Sequence, residues 1–197
     1  MPDRLLENKM RNRYVYQILS AVNGINLLIF LVPSLALYFF MLFYTIPAVQ
    51  AYAPEMKVFD LMPAGYSYDY AIELLSLLGD EGRDQYLHRQ LPLDFIYPAL
   101  FSISSCLLLA WLFMKRYEEN SRIFYLCLVP IFAGIFDYLE NILIIVMMFT
   151  YPDVSRFHVA FASSATIAKS GLTTIFFLLL LFAIIRLWTG GKSAKKE

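Results

Sequence analysis

The chain has 197 residues and no net charge at neutral pH, with 59% hydrophobic, 17% aromatic and 16% charged residues and a mean hydropathy of +0.58. Soluble domains run nearer ~25% charged and ~45–50% apolar, so this composition excludes an ordinary water-soluble fold, excludes disorder and argues against nucleic acid as a partner. Cys106 and Cys127 both lie inside apolar runs and His88 and His158 are the only histidines, which leaves neither a disulfide framework nor a multi-histidine metal site.

A membrane-crossing helix needs about 20 mostly apolar residues. The first candidate lies in the charge-free stretch from Tyr14 to Pro54 and is most apolar over about 25–49. Ala51-Tyr52-Ala53 has the small-x-small pattern of a signal-peptide cleavage site. However, the apolar region is about twice the usual h-region length and Pro54 comes directly after the cut, so the segment is expected to remain as a span.

The connection over 50–93 is too long for a bare loop in a compact protein. It opens with a turn-rich aromatic stretch from Phe59 to Tyr66. Ser67 can N-cap a helix with Asp69 in its first turn. Ala71, Ile72, Leu74, Leu75, Leu77 and Leu78 then form a broad apolar face, and Gly79 is a natural stop. A second short helix is expected from Glu81 to Arg89, with Tyr86 and Leu87 inward. The whole segment reads as an amphipathic helical element on the outer membrane surface, or as a lid over a site between the spans. The acidic run Asp80, Glu81, Asp84 lacks the spacing of an EF-hand loop and reads as a solvated helix start. No metal site is expected.

Three further spans come next, over about 95–114, 123–150 and 157–188. The second stops at Lys115-Arg116, the third is interrupted by Asp137 and Glu140, and the fourth by Lys169. The expected fold is all-α: one integral membrane domain over 1–197, a four-transmembrane-helix bundle with an amphipathic extracytoplasmic helical lid. Eleven of the sixteen basic residues fall in the N-terminal arm (Arg4, Lys9, Arg11, Arg13), the loop between the second and third spans (Lys115, Arg116, Arg122) and the tail (Arg186, Lys192, Lys195, Lys196). The other side carries Lys57, Arg83, Arg89 and Arg156 and is acidic on balance. Basic residues mark the cytoplasmic side, so a multi-pass protein of the cell membrane, of bacterial inner-membrane type, with both termini cytoplasmic is expected. Tyr52, Trp111, Tyr151 and Trp188 fall near the span boundaries, as interface aromatics do.

Ionisable side chains inside spans are costly, usually face the bundle interior and pair there. Four qualify: Asp94, Asp137, Glu140 and Lys169. Positions 137, 140 and 141 share one helix face, and Lys169 lies at a depth that permits pairing with Glu140 or Asp137. Two carboxylates facing one lysine leave the group net negative, so either one carboxyl keeps its proton or another cation enters. Asp137, Glu140 and Asp94 are the candidate acid–base residues. Asn141, Lys169, Thr166, Ser170, Tyr97 and Arg83 are the candidate ligand-binding residues. Asp94 could begin a polar path through Ser102 and Ser105, and the first span offers Asn23, Asn26 and Ser34. The alternative reading is a buried ion pair that only sets helix register.

Ala160, Ser164, Ala168 and Gly171 form a small-residue stripe suited to close helix packing, as does Gly134. Pro33 and Pro130 read as tolerated kinks. No nucleophile elbow, Walker loop, HExxH or GxGxxG is present, and no internal repeat suggests an inverted-repeat transporter.

Gly65-Tyr66-Ser67, Leu78-Gly79, Gly82-Arg83 with Tyr86, Asp94-Phe95-Ile96-Tyr97-Pro98, and Phe136-Asp137 with Glu140-Asn141 together resemble small four-helix bacterial integral membrane proteins of uncharacterised activity. The resemblance covers most of the chain, implies the four-helix fold and carries no activity, cofactor or substrate. The signature residues of the retinal proteins, the quinone-linked disulfide-forming enzymes and the small multidrug transporters are not matched.

Three functions fit the residues: binding or acid–base conversion of an amphiphilic, lipid-like molecule; a non-catalytic partner subunit; and proton-coupled transport as a homo-oligomer. The lipid bilayer is the expected surrounding, with a lipid-like ligand or a membrane partner. The charge bias makes a direct forecast. Reporter fusions after Glu197 and within Asp80–Gln85 will report opposite sides of the membrane, and fusions reporting the same side refute four spans.

Overall fold

The computed structural model describes residues 20–118 and 121–189, and every regular element among them is helical. The basic residues Arg4, Lys9, Arg11, Arg13, Lys192, Lys195 and Lys196 lie outside the described residues. Helix α1 spans Gly24–Gln50, with a π-helical turn over Met41–Thr45. After a 3-10 turn at Phe59–Leu61 come α2 (Tyr68–Gln85), a second π-helical turn (Tyr86–Gln90) and α3 (Leu91–Met114). A 3-10 stretch, Arg122–Leu128, leads into α4 (Val129–Thr150), and α5 runs over Arg156–Thr189. Four helical stretches are long and apolar enough to cross a membrane, matching the expected positions, although the second starts well before residue 95.

Local sequence explains the ends. The Asn23 side chain caps α1 by accepting from the Asn26 N–H at 2.7 Å. The Ser67 side chain caps α2 by accepting from the Tyr70 N–H at 3.1 Å. Each thus satisfies a donor that the first helical turn leaves free. Asn23 and Asn26 therefore serve the end of α1 and not an interior site. Pro130 stands in the first turn of α4, where its missing N–H is not needed, so it starts that helix instead of kinking it.

Gly79 does not end the segment in a loop. It takes φ 60° and ψ −173°, a conformation accessible essentially to glycine alone, and the chain bends and resumes as helix. The short helix expected at 81–89 is thereby continuous with the second span. Arg83 donates to the Leu75 carbonyl at this break at 2.6 Å and pairs with Asp80.

Helix α1 packs on α3, α3 on α4, and α4 on α5, whereas α1 and α5 are not packed against one another. The buried positions of α1, namely Leu27, Ser34, Met41, Thr45 and Val49, form one narrow stripe, and the rest of its surface is exposed and apolar. Two apolar cores result. One gathers Val49, Phe59, Ala71, Leu74, Leu75, Leu78, Ile144, Met147 and Val159 at the end covered by α2. The other gathers Leu109, Phe113, Phe124, Cys127, Phe176 and Ala183 at the opposite end. The inward face of α2 is as expected except for Leu77, which is exposed.

The small-residue stripe is a correction. Ala160, Ser164 and Gly171 face outward, and nothing lies within 4 Å of a Cβ added at Gly171. The contact face of α5 is Val159, Ala162, Ala165 and Thr166, set by the register that brings Thr166 and Lys169 to α4. Gly134 does sit at a close crossing: a Cβ there would lie 1.9 Å from Ser102 Oγ and 3.1 Å from the Pro98 carbonyl. Gly65 has φ 79°, and its Cβ would lie 2.5 Å from Ser163 Oγ, the hydroxyl that accepts from the Tyr66 N–H at 2.8 Å. Gly134→Val should therefore cost about 1–3 kcal/mol through overpacking, and Gly65→Ala at least the ~1–2 kcal/mol left-handed penalty. Thermal unfolding in detergent measures both, and unchanged midpoints would mean that these approaches are looser than described.

Candidate functional site

Between the two apolar cores lies a polar layer. Lys169, from the middle of α5, donates to Asp137 Oδ1 at 3.2 Å and also forms an ion pair with Glu140. Asp137 and Glu140 lie on one face of α4, three residues apart, so a single ammonium reaches both. The second Glu140 oxygen accepts from Thr166 Oγ1 at 2.6 Å, and Thr166 is held in turn by the Ala162 carbonyl at 3.1 Å. The sequence allows one pair or the other, and the structure makes both.

Asp94 enters from α3. Its backbone carbonyl would ordinarily accept from the N–H four residues on, but that residue is Pro98, which has none. The Asn141 side-chain amide takes its place, donating to the Asp94 carbonyl at 2.7 Å. Asn141 thus locks α3 to α4 and does not line the cavity. The Asp94 carboxylate is buried and lines the cavity, and no hydrogen bond or ion pair reaches it among the described residues.

A second polar group has no counterpart among the sequence expectations. Asp60, from the 3-10 turn, accepts from the Tyr86 hydroxyl and from Gln90 Nε2, the latter at 3.1 Å. The Gln90 side-chain oxygen accepts from Thr45 of α1. Tyr86 and Gln90 open and close one π-helical turn, and Thr45 closes the other. Such turns are rare and recur at functional sites because they re-aim side chains. The sequence carries no signal for this group, because Asp60 sits in a turn-rich aromatic stretch and only the tertiary fold brings it back onto the π-helical turn at Tyr86–Gln90.

These groups surround a cavity of about 420 Å³, within the range of small-molecule sites. Its walls are Tyr38, Met41, Leu42 and Ile46 of α1, Tyr97 and Phe101 of α3, Ala133 and Asp137 of α4, and Lys169, Ser170, Thr173, Thr174 and Phe177 of α5. Asp60, Pro63 and Gln90 close it toward α2. The rings of Tyr38 and Tyr97 lie 5.9 Å apart, and those of Tyr97 and Phe101 5.7 Å apart. The cavity lies where α1 and α5 fail to meet, so it is a cleft between two helices with a floor of α3 and α4.

The candidate residues fall into distinct places. Asp94, Asp137, Lys169, Tyr97 and Ser170 line the cavity, Glu140 and Thr166 stand behind Lys169 and Asp137, and Asn141 supports Asp94. Arg83 is elsewhere, caught between Asp80, the Leu75 carbonyl and the Tyr151 ring, whose centroid is 4.5 Å away. It braces the bend at Gly79 and does not line this cavity. The polar path expected through Ser102 and Ser105 is also absent: both are buried but outside the cavity lining, which runs through Tyr97 and Phe101 along the neighbouring stripe of α3. Tyr66 stacks on Phe59 at 4.6 Å, and burial together with the nearby Glu140 carboxylate pushes its phenol well above the ordinary range, keeping it neutral.

Among the described residues no three His, Cys, Asp or Glu side chains converge to hold a metal ion. No protein-family model, curated protein or solved structure matches the chain.

The charge arrangement yields a stability test. Lys169→Met strands two carboxylates in a low-dielectric layer, and breaking a buried pair from one side costs about 3–5 kcal/mol. Adding Asp137→Asn and Glu140→Gln should recover much of that loss. Thermal unfolding in detergent reads both variants, and a Lys169→Met protein as stable as the native chain would mean that the ion pairs contribute nothing.

Proposed function

We propose that this is an integral membrane protein that takes up an amphiphilic, lipid-like molecule into the cleft between α1 and α5. The observation that carries the reading is the cavity itself: an opening of about 420 Å³ whose far wall holds buried carboxylates and whose near edges are Tyr38 and Phe177. Exposed Ile25, Leu28, Val32, Phe39 and Phe43 on α1 and Ile175, Leu178 and Leu181 on α5 give both helices lipid-compatible outer faces. A molecule with one polar end and one apolar chain matches that sequence of surfaces, with its head among Asp94, Asp137 and Lys169 and its chain between the helices. In this setting α2 and the 59–66 turn form the extracytoplasmic lid. Positive charge on the 115–122 loop favours a cytoplasmic location for the opposite end.

The same residues fit acid–base chemistry on the bound head. Asp137 and Glu140 flank one ammonium while no donor reaches the Asp94 side chain among the described residues, so a proton can be held at one carboxylate and returned from another. A transmembrane ion path is supported less well, because Phe113, Phe124 and Phe176 pack the end beyond the cavity. A purely structural role is supported less well because the polar layer encloses space instead of being packed shut.

Native mass spectrometry of the protein released from native nanodiscs should show a retained amphiphile. Thr173→Trp, which fills the cleft from α5, should lose it while keeping its helical content by circular dichroism. Equal retention by the filled variant, or a bare native protein, overturns the reading.

A further inference from the structure

Asp94 is the one cavity carboxylate left without a partner among the described residues. Asp137 shares Lys169 with Glu140, and Asp60 is held by the Tyr86 hydroxyl and the Gln90 amide. Asp94 is only 7% exposed, yet no donor reaches its side chain among the described residues. Its backbone, by contrast, is fixed by the Asn141 amide at 2.7 Å. A carboxylate withdrawn from water and left bare is costly unless something completes it. The surrounding charges cannot do so, because Lys169 is the only cation lining the cavity among the described residues and it is already engaged by two carboxylates.

On the basis of the amphiphile-binding reading, we propose that the head group this cleft accepts is a protonated amine, hydrogen-bonded to Asp94. An ammonium carries N–H donors, and Asp94 presents two acceptor oxygens. Ser170 and Thr173 add hydroxyl oxygens on the facing wall, and the Tyr97 and Tyr38 rings offer faces that attract a cation. A carboxylate or phosphate head meets the wrong charge there, and an uncharged hydroxyl leaves the cavity net negative. A metal ion is disfavoured by geometry, since Asp60, Asp94 and Asp137 stand on separate walls and do not converge.

The test uses three single-chain probes of equal length, dodecylamine, dodecanol and dodecanoate, titrated against the full chain in nonionic detergent at neutral pH, with binding read by native mass spectrometry. A simple alkylamine stays protonated there. Dodecylamine should bind roughly tenfold or more tightly than the other two, the scale of one charge-assisted hydrogen bond. Asp94→Asn, which preserves shape, should erase that preference while leaving the chain-dependent part. The head-group comparison on the native protein stands even if the variant fails to fold. Tighter binding of dodecanol or dodecanoate overturns the amine proposal and leaves amphiphile binding intact. An undiminished amine preference in a folded Asp94→Asn protein overturns the role of Asp94. If none of the three probes binds, both the amine proposal and the amphiphile reading fall.

Discussion

One ammonium group shared by two carboxylates organises this molecule. Lys169 reaches Asp137 and Glu140 from α5, and that demand sets the rotation and the axial position of α5 against α4. With Lys169 turned inward, Thr166 one turn earlier meets Glu140, Val159, Ala162 and Ala165 become the contact face, and the small residues Ala160, Ser164 and Gly171 are carried to the outside. The packing face of this helix is thus chosen by polar atoms. Apolar contacts are non-directional, whereas an unpaired charge in a low-dielectric interior is expensive in every orientation but one.

The second organising contact is quieter. Pro98 removes the N–H that the Asp94 carbonyl needs, and Asn141 supplies a substitute from α4. A helix defect on α3 becomes a specific link between α3 and α4, next to the crossing where Gly134 lets the two approach. The result is a packed three-helix unit of α3, α4 and α5. Helix α1 joins α3 through a narrow buried stripe and the Thr45–Gln90 contact. The cleft opens where this attachment leaves α1 and α5 apart, which is why its walls are partly aromatic and partly ionic.

The two π-helical turns belong to the same arrangement. Each adds a residue to a helical turn and so re-aims the side chains beyond it. On α1 this brings Met41 and Thr45 inward, and before α3 it brings Tyr86 and Gln90 inward. Asp60 then finds donors on one side of the layer, while the Asp94 side chain finds none among the described residues. One cavity thus holds a carboxylate with two donors and, among the described residues, a carboxylate with none.

By itself the sequence determined the four long apolar helices and the capped amphipathic segment after Ser67, and it permitted a pair between Lys169 and Asp137 or Glu140, of which the structure makes both. Length and hydropathy are local properties, and the scarcity of charge in the spans left those three side chains few partners. It did not determine which residues would line a cavity. Arg83 is a candidate binding residue in the sequence, but the left-handed bend at Gly79 turns it onto the Leu75 carbonyl. Asp60 and Gln90 look like surface polar residues, yet the chain returns through a 3-10 turn and joins Asp60 to Gln90, which is buried against Thr45 of α1. Asn141 looks like a ligand residue, and only the crossing of α3 and α4 reveals that it repairs the gap left by Pro98. Such assignments depend on helix rotation, on register and on where a loop folds back. Those are set by contacts between residues tens of positions apart, and no local pattern encodes them.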